Sequence, residues 1–146
     1  MRLIDANVLL YADNEDAQQH DSAQSWLERA LQEAETLVVP WISALAFLRI
    51  STHGGIHATP NSIGAAVEFL RTVQQAPNVI TGEPDDRHLD RLHDLLGPIG
   101  LGGNLVNDAH LAALALQYEA TVVSFDNDFS RFPGVRWERP PAVTAN

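Results

Sequence analysis

Residues 1–12 read MRLIDANVLLYA, and one carboxylate, Asp5, interrupts an otherwise apolar start. Leu3 and Ile4 are typical of a short buried strand, and residues 8–11 are typical of the start of a helix. A carboxylate at the end of a buried strand is unfavourable unless it is paired or bound to a metal ion. Asp5 therefore raises the question of what neutralises it.

Beyond this stretch, short apolar strands alternate with helices. Further strands are predicted within the segments TLVV (36–39), NVITG (78–82) and TVVSF (121–125). Helices are predicted over residues 17–34, 43–52, 60–75, 83–97 and 105–118 from apolar residues at helical spacing. Strands that are apolar on both faces and alternate with helices favour an α/β fold with a mainly parallel central sheet. Ligands of such sheets bind beyond the carboxyl ends of the strands.

The boundaries and faces of three helices are predicted from single residues. Ser43 is expected to cap the helix over residues 43–52, and Thr59 with Pro60 is expected to open the next helix. Ile63 is expected on the inner face of that helix. Leu89 is expected on the inner apolar stripe of the helix over residues 83–97.

Length and composition favour a single domain with an apolar core. The chain has 146 residues, of which 45% are hydrophobic, and it contains no cysteine. The missing cysteine excludes disulfides, thiolate nucleophiles and cysteine zinc sites. The apolar start is broken by Asp5 and Asn7, so it does not resemble a signal peptide, and no segment approaches the roughly 20 apolar residues of a membrane span. We expect a soluble, cytoplasmic protein without membrane association.

The charge is strongly acidic. Nineteen acidic residues face nine basic residues, all of them arginine, and the formal net charge is −10. This balance counts against non-specific nucleic-acid binding, which depends on cations that neutralise phosphates. It does not exclude a nuclease, because a divalent cation held by carboxylates reverses the local field.

Three aspartates are predicted to meet at the carboxyl edge of the sheet. Asp5 ends the first strand, Asp126 follows the strand of segment TVVSF, and Asp108 lies in the first turn of the preceding helix. Carboxylates in such a cluster repel one another unless a cation resolves the conflict, and Mg²⁺ or Mn²⁺ is the best fit. Structural roles stay open: Asp126 can turn the chain, Asp128 can cap a short helix, and Asp108 can complement the helix dipole. The six histidines lack a zinc-ligand spacing.

Four segments together carry a resemblance to a known family. They are DANVLLYA (5–12), PWISALAFLRIST (40–52), GNLVNDAHLAALA (103–115) and VVSFDNDFSRFPGVRW (122–137). In this order and spacing they resemble the PIN-domain ribonucleases of the VapC toxin type, particularly the mycobacterial branch. The resemblance implies a PIN-like three-layer α/β/α fold over residues 1–138, followed by a C-terminal tail over residues 139–146.

The same resemblance implies a function and a set of site residues. It implies a Mg²⁺- or Mn²⁺-dependent endoribonuclease, the toxin of a toxin–antitoxin pair, whose cognate VapB-type antitoxin inserts a carboxyl-terminal segment into the active-site groove. Asp5, Asp108 and Asp126 match the catalytic, metal-binding acids, and Asp128 is a possible fourth metal ligand. A homodimer is also expected, through exposed apolar residues of the helix over 60–75 and of the Trp26 region.

One position departs from the family pattern. Many PIN domains carry a glutamate where this chain has Ala46, so the cluster loses one acid, which Asp128 can replace in charge. Arg49, one turn along, is either a partner of the cluster or a phosphate contact. The alternative function is a catalytically weakened PIN-fold module that binds RNA or a protein partner. A phosphorylated receiver is disfavoured because the chain has no lysine.

Overall fold

The structure is a computed structural model that describes residues 1–56 and 58–144. The strands are β1 (Arg2–Ile4), β2 (Leu37–Val38), β3 (Val79–Ile80), β4 (Thr121–Val123) and β5 (Trp137–Glu138). The α-helices are α1 (Ala6–Asp13), α2 (His20–Ala30), α3 (Trp41–Ser51), α4 (Ile63–Gln74), α5 (His88–Leu96) and α6 (Leu105–Gln117). A 3₁₀ helix spans Asn127–Arg131.

The five strands of the described residues form one parallel sheet in the order β3-β2-β1-β4-β5. The first strand therefore lies at the centre, between β2 and β4. Ile4, the last residue of β1, is paired with Val123, the last residue of β4. The prediction of a mainly parallel central sheet is confirmed, and its carboxyl edge brings the chain after β1 beside the chain after β4.

Neighbouring strand residues enter two different apolar clusters, one on each face of the sheet. Ile4 and Val123 pack with α1, α2, α3 and α4, whereas Leu3 and Val122 pack with α5, α6 and the 3₁₀ helix. Successive side chains of a strand point to opposite faces, so a strand covered on both sides must be apolar at every position. This produces the three-layer α/β/α architecture.

The predicted starts of two helices were wrong. Helix α3 begins at Trp41 after Pro40, and Ser43 lies inside it, where its buried hydroxyl donates to the carbonyl oxygen of Ile4 at 2.8 Å. Helix α4 begins at Ile63, and Ser62 caps it by accepting from the amide of Ala65 at 3.1 Å. Helix α3 therefore has no side-chain cap, because the Ser43 hydroxyl is used in a tertiary hydrogen bond that sequence spacing does not report. Helix α4 has a cap of the expected kind, but at Ser62 instead of Thr59.

Four other expectations differ from the structure. Ile63 and Leu89 were expected on inner faces, but their exposed fractions are 61% and 77%. Helical periodicity places a residue on a stripe without revealing whether another element covers that part of it. Helix α2 covers His20–Ala30, which is shorter than predicted, and Trp26 within it is buried and offers no surface for a dimer.

Among the described residues, no helix combines the length and the apolar character needed to cross a bilayer.

Helix α3 offers a matched pair of residues that tests the packing. Phe47 is fully buried and its ring stacks on that of Phe69 with centroids 4.8 Å apart, whereas Leu45 is 56% exposed. We expect Phe47→Ala to lower the free energy of unfolding by about 3–5 kcal/mol through the cavity it leaves. Leu45→Ala is expected to change it by less than about 0.5 kcal/mol. Equal decreases in the free energy of unfolding for the two variants, measured by urea denaturation, would contradict this packing.

Candidate active site

Asp5 lies where β1 passes into α1, at the carboxyl edge of the sheet. Its backbone amide donates to the carbonyl oxygen of Val123 at 3.0 Å, which continues the β1–β4 ladder by one residue. Its carboxylate accepts from the amide of Ala6 at 2.7 Å and thereby caps α1. An N-cap aspartate satisfies one of the free amides of the first turn. The local chain path therefore holds the Asp5 carboxylate at this edge.

Ser124 and Asn7 fix the other carboxylate oxygen of Asp5. The buried Ser124 hydroxyl donates to Asp5 Oδ2 at 2.7 Å, and the Asn7 amide nitrogen donates to the same oxygen at 3.1 Å and to Ser124 Oγ at 3.0 Å. Asn7 Oδ1 accepts from the amide of Phe125 at 3.1 Å. The chain segments that follow β1 and β4 are thus joined by side-chain hydrogen bonds.

Asp126 is oriented by the same network. Its amide donates to Ser124 Oγ at 2.9 Å, and its carboxylate accepts from the amide of Asp128 at 2.9 Å, which caps the 3₁₀ helix. The structure thus gives Asp126 the capping role that sequence analysis offered to Asp128. The carboxylate of Asp128 is consequently not used as the cap of this helix.

Asp108 completes a compact group of carboxylates. It lies in the first turn of α6, and one carboxylate oxygen each of Asp108, Asp126 and Asp128 lie within 4.8 Å of one another. All three residues are half-buried. Asp5 is near enough for its charge to act on Asp108, but it is not one of the three carboxylates in this group. The structure therefore brings together the four acids singled out from the sequence, with Asp5 beside the other three.

The electrostatics of the four acids are unfavourable without a cation. Burial, followed by the charges of Asp5, Asp126 and Asp128, raises the pKa of Asp108 to about 7. Burial also raises the pKa of Asp5, the charge of Asp126 adds to this effect, and the hydrogen bonds from Ser124 and Ala6 oppose it. A bound divalent cation stabilises the ionised form of carboxylates whose pKa is raised in this way. Oxygen donors are what Mg²⁺ and Mn²⁺ prefer, so the residues present fit such an ion.

Arg49 and Ala46 lie on one wall of the site. They line a groove of ≈ 700 Å³ between α3 and α4, together with the neighbour of Asp108, Asn107. Among the described residues, no carboxylate lies within ion-pair distance of Arg49. Arg49 is exposed in this groove.

His110, two residues after Asp108, pairs with a histidine of α5. His88 Nε2 and His110 Nδ1 are 2.8 Å apart, with the ring planes inclined at 75°. Burial lowers the pKa of both imidazoles, and a single proton between the two nitrogens suffices for the hydrogen bond. This pair fastens α5 to α6.

Sequence reasoning missed Ser124 and Asn7. Both lie within the quoted motifs, and Ser124 is the one polar residue between a buried strand and Asp126. A hydroxyl at the end of an apolar strand requires hydrogen-bond partners. This requirement could have indicated that Ser124 belongs to the site. Its side-chain partners could not be identified from the sequence, because they lie near the other end of the chain.

The sequence was compared with known families and proteins. The family description "PIN domain" matches residues 2–135. Ribonuclease VapC37 of Mycobacterium tuberculosis is 44% identical over 143 residues, which cover 98% of this chain and 99% of the relative.

The chain belongs to the PIN-domain family of VapC ribonucleases.

A second curated relative and two solved structures agree with this membership. Ribonuclease VapC31 of Mycobacterium tuberculosis is 38% identical over 141 residues, which cover 97% of this chain and 99% of the relative. The structure of FitAcB from Neisseria gonorrhoeae has a TM-score of 0.67 at 18% identity, covering 96% of this chain and 98% of that one. VapBC2 from Rickettsia felis, bound to a DNA fragment from the promoter, has a TM-score of 0.65 at 23% identity, covering 94% and 97%. At these identities the structural likeness concerns the fold.

The raised pKa of Asp108 predicts a pH-dependent stability for the metal-free PIN domain. A carboxyl whose folded-state pKa lies above its unfolded value binds protons more tightly in the folded state, so stability falls as the pH rises from about 4 through about 7. We expect Asp108→Asn, in chelator at about pH 8, to unfold at a melting temperature roughly 2–4 °C higher, since solvent screening reduces the effect to about 1 kcal/mol.

At about pH 6, where Asp108 is largely protonated, the melting temperatures of this variant and of the unmodified protein are expected to converge. Asp21→Asn, on the exposed first turn of α2, is the control. A difference that does not change with pH would contradict the assignment of the shift to Asp108.

Ser124 offers a second test of the site. Ser124→Ala removes the donor to Asp5 and the acceptor of the Asp126 amide, so it is expected to lower the free energy of unfolding by about 1–3 kcal/mol. It is also expected to raise the pKa of Asp5 further, because the lost hydrogen bond favours the ionised form. Ser130→Ala is the control, since Ser130 is exposed and donates to Asn127. Equal free energies of unfolding for the two variants, measured by urea denaturation, would contradict the stabilising role of the Ser124 hydrogen bonds.

Proposed function

We propose that this PIN domain is a Mg²⁺- or Mn²⁺-dependent endoribonuclease, the toxin of a VapBC pair, which hydrolyses RNA phosphodiester bonds. The observation that carries the proposal is the group of three carboxylates within 4.8 Å at the carboxyl edge of the sheet, beside Asp5. The names of the curated relatives, which are VapC ribonucleases at up to 44% identity, support the same reaction.

The carboxylates divide into ligands and a fixed neighbour. Asp108, Asp126 and Asp128 supply oxygens close enough to share one ion. Asp5 accepts hydrogen bonds on both of its oxygens and adds a fourth negative charge. When bound, Mg²⁺ or Mn²⁺ supplies Lewis-acid stabilisation of charge on the phosphate and lowers the pKa of a water. Ser124 and Asn7 keep Asp5 in one orientation, which reduces the reorganisation needed during the reaction.

The RNA backbone has to approach a strongly acidic protein. Arg49 is exposed on the groove next to Asn107, and Arg139 is exposed on the far side of Asp126, where it contacts Asn127. Two arginines on opposite sides of the acidic group position phosphates without requiring a basic surface overall. The wall at Ala46 carries no carboxylate, so it adds no repulsion there.

A protein partner and a homodimer belong to the same proposal. The neighbouring structure from Rickettsia felis is described as VapBC2, and a VapB-type antitoxin is the corresponding partner for this chain. Ile63 and Leu45 leave apolar surface on α4 and α3 that suits a protein contact. We place the protein in the cytoplasm, where RNA and such a partner are available.

Cleavage of structured RNA by the purified protein tests the proposal. With Mg²⁺ or Mn²⁺ we expect cutting that chelator abolishes. Asp108→Asn and Asp5→Asn are expected to reduce it by about 100-fold or more, because loss of groups that merely orient metal ligands already costs 10–100-fold. Asp94→Asn, on the exposed side of α5, is the matched control and should cut normally.

Calorimetric titration with Mn²⁺ separates the enzyme from a non-catalytic module. Binding that Asp108→Asn weakens, together with cleavage, supports the enzyme. A folded protein that binds no Mn²⁺ and cuts no RNA, or an Asp108→Asn variant that cuts normally, overturns it.

A further inference from the structure

A second pocket, distinct from the Arg49 groove, adjoins the acidic group. Its volume is ≈ 530 Å³, and Asp126 and Asp128 belong to its lining. The lining also includes Tyr11, Gln19, Phe125 and Asn127. Because two residues of the carboxylate group also line this pocket, an occupant of the pocket lies directly beside the acidic site.

The floor of the pocket is aromatic. The rings of Tyr11 and Phe125 meet edge to face, with centroids 5.2 Å apart and planes inclined at 74°. Both rings are half-buried and pack against the core below. Arg139 holds Phe125 from the outside, since its guanidinium donates to the Phe125 carbonyl oxygen at 2.7 Å and lies 6.0 Å from the ring centroid. The aromatic surface is therefore fixed before anything binds.

The rim of the pocket carries polar groups that make no hydrogen bond to another of the described residues. Arg139 donates to Asn127 Oδ1 at 2.7 Å, which leaves the Asn127 amide nitrogen as a donor. Gln19 precedes α2 and its side chain makes no capping bond. Its position is set by the backbone, since His20 Nδ1 is 2.9 Å from the Tyr11 carbonyl oxygen and the Ala23 amide donates to the Gln19 carbonyl at 2.9 Å. The pocket thus combines an aromatic floor with amide donors and an amide acceptor.

We propose that this pocket binds the base of an unpaired nucleotide next to the phosphate that is cut, with Tyr11 and Phe125 contacting its face and Gln19 and Asn127 its edge. The inference rests on the proposed ribonuclease function. Stacking on aromatic rings and hydrogen bonds to base edges are how proteins recognise unpaired RNA, whereas a paired base presents neither feature to such a pocket.

A nucleobase matches the lining better than the alternatives do. A carboxylate or phosphate in the pocket would meet Asp126 and Asp128, and an aliphatic side chain would leave the amides of Gln19 and Asn127 without partners. A planar ring with its own donors and acceptors satisfies both the aromatic floor and the polar rim. The adjoining acids then lie beside its phosphate. The pocket therefore selects the nucleotide that is presented for cutting, and Gln19 is the residue that distinguishes bases.

The experiment uses a random-sequence single-stranded oligoribonucleotide pool and sequencing of the cut ends. The unmodified protein is expected to prefer a subset of bases at one position next to the cut. Gln19→Ala is expected to reduce that preference about tenfold while cutting continues. Tyr11→Leu is expected to raise KM about tenfold with kcat changed less than about twofold, because the stacking surface is lost while an apolar side chain remains to pack on the core.

A control outside the pocket isolates its contribution. Trp41→Leu removes a half-exposed aromatic of α3 and should retain KM and base preference. Tyr11→Phe, which keeps a ring in the pocket, is expected to bind RNA more tightly than Tyr11→Leu does. Binding of a labelled oligoribonucleotide to Asp108→Asn protein, followed by fluorescence anisotropy, gives a readout independent of cleavage. There, adding Tyr11→Leu should weaken binding about tenfold.

The outcomes separate this inference from the function on which it rests. A protein that cuts no RNA contradicts the proposed function, and the anisotropy measurement then still decides whether the pocket contacts RNA. Normal cutting with base preference, KM and binding unchanged in Gln19→Ala and Tyr11→Leu overturns the inference and leaves the pocket to a protein partner. If Trp41→Leu weakens RNA binding or base preference as much as Tyr11→Leu and Gln19→Ala do, the effect is not specific to the pocket and the inference is overturned as well.

Discussion

The parallel pairing of β1 with β4 is the constraint on which the site depends. These strands are far apart in the chain but end in register, with Ile4 paired to Val123. Asp5 and Ser124 are the next residues on each strand, so their side chains meet at 2.7 Å. Asn7 and Asp126 then bond to the same hydroxyl. A shift of this register by one residue would turn the side chains to opposite faces and separate the network.

The apolar core stabilises this strand register, whereas repulsion among the acidic side chains at the sheet edge destabilises it. Strand residues that alternate between two apolar clusters are buried on both faces, which fixes which residue of β1 ends at the edge. Four carboxylates gathered at that edge repel one another, and burial together with the charges of the other three raises the pKa of Asp108 to about 7. Local destabilisation of this kind is common where a protein holds groups ready for a ligand. The apolar layers supply the stability that the acidic edge lacks.

The sequence predicts the architecture well because strands that are buried on both faces are apolar at every position. The alternation of helices with apolar strands needs no tertiary information, and neither does the position of Asp5, Asp108 and Asp126 near element ends. The use of Ser43 in a bond to Ile4, instead of as a helix cap, does depend on tertiary contacts, as does the exposure of Ile63. For the same reason the hydrogen-bond network of Ser124 was missed, since its partner Asp5 lies 119 residues away in the chain.

Asp128 adds a carboxylate to the acidic group, whereas Ala46 of α3 adds none. The 3₁₀ helix that Asp126 caps turns the chain so that Asp128, two residues later, lies beside Asp126 and Asp108. Asp126 accepts the Asp128 amide on one carboxylate oxygen and still belongs to the acidic group, so a capping role and a place in the group are compatible. Among the described residues, the groove of Ala46 and Arg49 contributes no acid to the group, although it reaches Asn107, the neighbour of Asp108. The acidic charge therefore lies beside the pocket of Tyr11 and Phe125, which Asp126 and Asp128 also line.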